Sequence, residues 1–157
     1  MEISPLVQDS VPILKFTAEP VDENALRRVL QAARLAPTPA HAQPHHIMVV
    51  NTPEGMAKLK PCVQHDFEAP VVLVLCSRVQ AGDPPPGTPD SIGTVDTALA
   101  GTNIIQAARR QGLRAAWMGH FDPAALRLAL KLPLNLRPVA LFPLGHPAPD
   151  DNPLGIV

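Results

Sequence analysis

The sequence predicts an α+β domain in which a central sheet of about four strands, mixed or antiparallel, is flanked by helices. Leu26, Val29, Leu30 and Ala33 recur at helical spacing, and Val71-Val72-Leu73-Val74-Leu75-Cys76 is a short run that is apolar on both faces. Segments of these two kinds alternate along the chain. Its 157 residues suffice for one real core with little room for a second, so residues 1–157 read as a single domain.

The first helix is announced by Asp22 as an N-cap, with Val21 and Leu26 placed as a hydrophobic staple. Pro37 marks a boundary just past its end. The stretch Ala36-Pro37-Thr38-Pro39-Ala40-His41-Ala42-Gln43-Pro44-His45-His46 cannot continue a helix, because each proline lacks an amide hydrogen and restrains the residue before it. A stiff, exposed loop is expected there, presenting Thr38, His41 and Gln43 in fixed positions as a planar ligand requires. Ile47 to Val50 predict a short buried strand, and Thr52-Pro53 predicts a capped short helix through Met56 and Leu59 that Pro61 limits.

Pro70 introduces the run at 71–76, a central strand to be covered on both sides by helices or by a partner chain. Residues 80–93 carry Pro84-Pro85-Pro86 and predict a loop, either an ordinary connector or a lid. From Val95 a helix is expected with Ala98, Leu99, Ile105 and Ala108 on one face and the small residues Ala100 and Gly101 on another, stopped by Gly112. Ala115 to Met118 read as a strand, Asp122-Pro123 opens a helix through Leu126, Leu130 and Lys131, and residues 138–144 supply the last strand.

The formal net charge of −1, with Lys and Arg scattered among acids, argues against nucleic acid and against a membrane surface as partners. Aromatics make up only 3% of the chain, too few for a platform that stacks single-stranded bases. No apolar stretch approaches the roughly 20 residues of a membrane span. The N-terminus Met1-Glu2-Ile3-Ser4-Pro5 lacks a basic region followed by an apolar run, so a cytoplasmic protein is expected. Cys62 and Cys76 are too few and too far apart for a disulfide scaffold or a C-x-x-C pair, and they read as buried thiols in a reducing compartment.

The loop at 36–46 resembles that of the nitroreductase family of flavin proteins, which reads Ala-Pro-Ser-x-x-Asn-x-Gln-Pro-Trp. Ala36, Pro37, Gln43 and Pro44 match outright, with Thr38 for the serine, His41 for the asparagine and His45 for the tryptophan. The resemblance continues through Lys15-Phe16-Thr17 with Glu19-Pro20-Val21, Asp96 at the start of an alanine-rich helix, Gly112-Leu113, Trp117-Met118-Gly119-His120-Phe121 and Leu144-Gly145-His146-Pro147. It implies a homodimer binding FMN, which takes hydride from NAD(P)H and passes electrons to a nitroaromatic, quinone-like or other conjugated small molecule. It further implies that Lys15, Pro37, Thr38, His41, Gln43, Trp117, Met118, Gly119 and His120 contact the cofactor, the loop reaching the flavin of the opposite subunit. No side chain is assigned as catalytic, since the flavin itself carries the hydride.

Residue by residue, other roles are open. Thr38 and Gln43 can instead tie the loop's own backbone, Trp117 can belong to the core, and Lys15 can be a solvated charge. At the positions where the family carries Arg-x-Ser-x-Arg (or Lys) for the flavin phosphate and ribityl chain, this sequence has Ser10, Pro12 and Leu14, and residues 150–157 hold no cation. Charge-assisted hydrogen bonds contribute about 1.5–3 kcal/mol each, so losing two or three weakens phosphate binding by roughly 3–9 kcal/mol. Lys15, Arg27, Arg28, Arg114 and Arg137 are the cations left to compensate. The alternative is a dimer of the same fold that binds another planar ligand, or a metal held among His41, His45, His46, His65, His120 and His146, without this redox activity.

Overall fold

The computed structural model describes residues 15–64, 67–79 and 92–149. The described residues form α1 (Glu23–Arg34), β1 (His45–Val50), α2 (Pro53–Leu59), β2 (Val71–Arg78), α3 (Ile92–Arg110), β3 (Arg114–Ala115), α4 (Pro123–Leu130) and β4 (Leu136–Gly145). Helix starts follow the local chemistry of their caps. Asp22 accepts from the Ala25 amide at 2.9 Å, Thr52 from Gly55 at 3.1 Å, and Asp122 from Ala124 and Ala125 at 2.9 and 3.0 Å. Pro53 and Pro123 occupy the first helical turn, where a missing amide hydrogen costs nothing.

The sheet order is β1-β2-β4-β3, and every pairing is antiparallel. Of the two sheet types expected, the structure has the antiparallel one. Its rows run straight across: Met48 lies opposite Val74, Val74 opposite Leu141, and Leu141 bridges Met118. A register shift between Leu75 and Cys76 brings Cys76 opposite Pro138 and Ser77 opposite Arg137. The segment expected as a strand at 115–118 lies along β4, but regular pairing covers only Arg114 and Ala115 before Met118 re-forms a bridge.

Period-two alternation sends the two halves of β2 to two separate cores. Val71, Leu73 and Leu75 meet Ala25, Val29 and Ala33 of α1 and Ala100, Ile104 and Ala108 of α3 on one side. Val72, Val74 and Cys76 meet Phe16, Leu59 of α2 and Leu126 of α4 on the other. All of β2 from Val71 to Ser77 is buried, which explains its apolar composition on both faces.

Helix α3 departs from the sequence expectation. Its buried face carries Asp96, Thr97, Ala100, Gly101, Ile104 and Ala108, whereas Leu99, expected with Ala108, is 42% exposed and Val95 61% exposed. Small side chains dominate the buried stripe, so polarity alone did not show which side would pack. Gly112 stops the helix at φ +72°, a left-handed conformation that glycine adopts without strain. Residues 80–91 of the proline-rich loop, like Ser10, Pro12, Leu14 and the tail 150–157, lie outside the described residues.

Cys62 and Cys76 are both buried free thiols. Burial pushes the Cys76 thiol up to about 11, against the opposing charge of Arg127. Burial and the charge of Asp122 likewise raise Cys62, whose thiol donates to the Lys58 carbonyl. At about pH 8 the Cys76 thiolate is therefore on the order of one part in a thousand. Brief iodoacetamide treatment of the folded protein is expected to leave Cys76 unmodified by mass spectrometry, and urea-unfolded chain to react at both thiols. Fast labelling of Cys76 in the native state would contradict this.

Candidate functional site

The loop between α1 and β1 is fixed by its own polar groups. Thr38 accepts the Gln43 amide on Oγ1 at 3.0 Å and the His41 amide on its carbonyl at 3.0 Å, and Pro39 accepts the Ala42 amide. Gln43 donates from Nε2 to the Arg34 carbonyl at 2.7 Å, covering the end of α1. Both Thr38 and Gln43 thus tie the loop's backbone. Ala40, His41 and Gln43 all have left-handed backbones, with φ of +50°, +55° and +45°. Each costs on the order of 1 kcal/mol, and such strain persists only where neighbouring groups over-determine it. His41 and Pro37 are exposed at the loop surface.

On the far edge of the sheet, Trp117 stands 44% exposed and packs edge-on against Phe142, with ring centroids 5.0 Å apart and planes at 77°. Space for the indole comes from Gly101, where a Cβ would lie 2.5 Å from Trp117 and 2.6 Å from Phe142. Met118 is half-buried and packs on the α2/α4 side, while Gly119 and His120 are exposed. Lys15 is exposed beside Phe16, whose bridge to Pro147 fixes the start of the described chain to its end.

The predicted site residues therefore form two groups. From β1 to the Met118 position the sheet spans β2 and β4, on the order of 14 Å for three strand-to-strand steps, and the loop lies beyond the His45 end of that row. Within one chain the loop carrying Pro37, Thr38 and His41 thus lies at the β1 edge and the segment Trp117 to His120 at the opposite edge. Three of the five cations expected to compensate at a phosphate are engaged elsewhere: Arg27 pairs with Glu23, Arg28 bonds Gln111, and Arg114 bonds the Leu113 carbonyl. Among the described residues no three His, Cys, Asp or Glu side chains gather as a metal site.

At the base of the loop Arg34 and Arg78, which the sequence did not single out, join Gln43, His45 and His46. A cleft of about 380 Å³ is lined by Arg34, Gln43, His45, His46 and Arg78 beside apolar Leu30 and Ile47. His45 is only 8% exposed, and among the described residues its enclosed Nδ1 has no partner. Burial first, then the nearby charges of His46 and Arg34, hold its pKa below the ordinary 6.5, with Asp96 pulling the other way. His45 thus stays neutral in the fold where the unfolded chain takes up a proton, so its contribution to stability is complete above 6.5 and is lost as pH falls below it. His45→Gln is expected to flatten the fall of the denaturation midpoint as pH drops below 6.5. An unchanged slope in that variant would refute it.

The sequence matches the Nitroreductase family over residues 13–68 and 62–146. The chain belongs to the nitroreductase family. Among relatives, a protein of Thermus thermophilus named NADH dehydrogenase is 29% identical over 182 residues, covering 90% of this chain and 84% of its own. A nitroreductase family protein of Clostridium difficile superposes with a TM-score of 0.84 at 25% identity, over 98% of this chain and 87% of that one. A second Clostridium difficile structure, an FMN-dependent nitroreductase, gives 0.79 at 19% identity, over 96% of this chain and 89% of that one, a likeness of fold. This nitroreductase-family chain has an antiparallel sheet with helices on both faces, and no helix among its described residues is long and apolar enough to cross a membrane.

Proposed function

We propose that this chain is a cytoplasmic FMN-dependent oxidoreductase that acts as a homodimer, passing electrons from NAD(P)H to a nitroaromatic, quinone-like or other conjugated small molecule. The observation that carries the reading is the separation of the loop at 37–43 from the segment at 117–120 across one sheet. Two copies facing each other can bring the loop of one to the 117–120 segment of its partner. Val95 and Leu99 of α3, exposed one turn apart, and the half-exposed Trp117 supply apolar surface for such a pairing. Family membership and the names of the relatives support the redox class.

The residues fit the ring side of such a cofactor. Gly101 leaves a cradle that a Cβ would fill, seating the half-exposed Trp117 indole, and the loop holds His41 outward on a left-handed backbone. Pro37, Thr38 and His41 of one copy, with Lys15, Trp117, Met118, Gly119 and His120 of the other, would hold the group. Bound FMN supplies a reversible two-electron hydride carrier. The chain's part is to orient that ring: Trp117 and Met118 exclude water from one side, and His41 offers an imidazole nitrogen for hydrogen bonding. Gln43, with its amide spent on the Arg34 carbonyl, keeps the loop in place.

The substitutions at 10, 12 and 14 favour a second reading, a dimer of this fold that binds another planar ligand without nicotinamide oxidation. One set of measurements separates the two. Light scattering of the purified protein is expected to give the mass of two chains, and FMN titration to reach one flavin per chain with NAD(P)H oxidation once an acceptor is added. A monomer, or a dimer that takes up no FMN, would overturn the first reading.

A further inference from the structure

We propose that the cleft between the end of α1 and the start of β1 is a phosphate-binding site, in which Arg34, Arg78 and His45 hold the anionic group of a small phosphorylated molecule. The cleft, about 380 Å³, carries two guanidinium groups and two imidazoles, and among the described residues no carboxylate lines it. Asp96, the acid that faces His45 from α3, is not part of that lining.

Arg78 is held in position. Its guanidinium donates to His46 Nε2 at 3.1 Å, while His46 Nδ1 lies 3.3 Å from the Pro44 carbonyl. In this arrangement Nε2 accepts from the guanidinium while Nδ1 faces the carbonyl. His46 is therefore a strut that fixes the arginine fork, and the remaining guanidinium N–H groups can serve a ligand. Register adds to this, since the Arg78 amide donates to the Pro44 carbonyl at 2.8 Å and so fastens the end of β2 to the start of β1.

Arg34 approaches from the last turn of α1, whose carbonyls would repel an anion. The Arg34 carbonyl, however, already accepts Gln43 Nε2, which covers one of these negative ends. His45 lies deepest. Among the described residues its Nδ1 is enclosed and unpartnered, and with the proton on Nε2 the ring offers a donor. A built donor set of this kind, with two forks and one enclosed imidazole, suits a compact dianion with several acceptor oxygens.

The site is independent of the FMN reading, because it stands on residues other than those that the family resemblance assigns to the flavin phosphate. The test is a calorimetric and NMR titration of the full chain with inorganic phosphate at constant ionic strength. Saturable binding that shifts the Arg34, Arg78 and His45 side-chain signals is expected. Arg34→Gln and Arg78→Gln, both checked for native circular dichroism, should each weaken it at least about tenfold, the equivalent of about 1.4 kcal/mol. No saturable response, or one that survives both substitutions, would overturn the proposal.

Competition identifies the source of the phosphate. Displacement of inorganic phosphate by FMN but not by riboflavin supports the site and assigns it to the flavin's phosphate. FMN bound alongside phosphate supports the site and assigns it to a different phosphorylated molecule. Phosphate binding without FMN uptake removes the flavin reading alone, and FMN uptake without phosphate binding removes this site alone.

Discussion

Phe142→Ala is expected to lower the unfolding free energy by about 3–5 kcal/mol, the range for truncating a large aromatic in a core that cannot collapse. Phe142 is fully buried on β4, directly opposite Leu73 of β2, and faces the core built by α1 and α3. Both strands are interior to the sheet, so neither can move in to fill the void. The ring also supports the indole of Trp117, and edge-to-face pairs add about 0.5–1.5 kcal/mol beyond area burial. Trp117 is the only tryptophan, so its fluorescence reports on this one site. Urea denaturation should show a lower midpoint at unchanged slope, with red-shifted emission before the transition. A loss below about 1 kcal/mol would mean that the surrounding side chains repack freely, contrary to the close packing described.

Gly101→Val attacks the same contact by overfilling it. A Cβ at this position meets two rings at once, and the one with nowhere to go is Phe142. Removing a helix-interior glycine ordinarily recovers about 1 kcal/mol. Overpacking typically costs 1–3 kcal/mol, and a β-branched side chain adds two further methyl groups, so the net expectation is a loss of about 2 kcal/mol. Relief comes from the half-exposed Trp117 swinging outward. Acrylamide quenching of the native state should therefore rise, and it should rise less in Gly101→Ala. Increased stability in the valine variant would show that the pocket around the indole is looser than the contact distances indicate.

Much of the architecture was readable because it is decided locally. Asp22, Thr52 and Asp122 each accept amides from the first turn of their helix, and a cap needs only the next few residues to form. The two-faced apolar composition of β2 likewise identified the strand with helices on both sides. The packed face of α3 was hidden, because Ala100 and Gly101 carry no signal of direction and the polar Asp96 and Thr97 are buried by contacts from elsewhere. The first residues of β1 were missed for a related reason. His45 and His46 look like loop residues, yet pairing with Ser77 and Cys76 extends the strand through them.

The candidate site divides in the same way. Prolines made the loop legible, and the left-handed backbones at Ala40, His41 and Gln43 add a constraint that none of those residue types announces. The inward turn of Gln43 and the engagement of Arg27, Arg28 and Arg114 depend on partners that only the folded chain supplies. Arg34, His45 and Arg78 meet because α1 ends and β2 finishes at the same corner of the sheet. Only the antiparallel register of His45 with Ser77 would have signalled that meeting.

The strand order also governs how the molecule is made. β2 lies between β1, which precedes it by a short stretch, and β4, which begins only at Leu136. During synthesis at about 5–20 residues per second, several seconds pass between the appearance of β2 and that of the neighbour completing its hydrogen bonds. Throughout that interval the ribosome carries a strongly apolar segment, uncharged from Val71 to Ser77, with an open flank, the profile of an aggregation-prone nucleus. Yield in a heterologous host should therefore depend on growth temperature and chaperone supply more steeply than the stability of the finished protein would suggest.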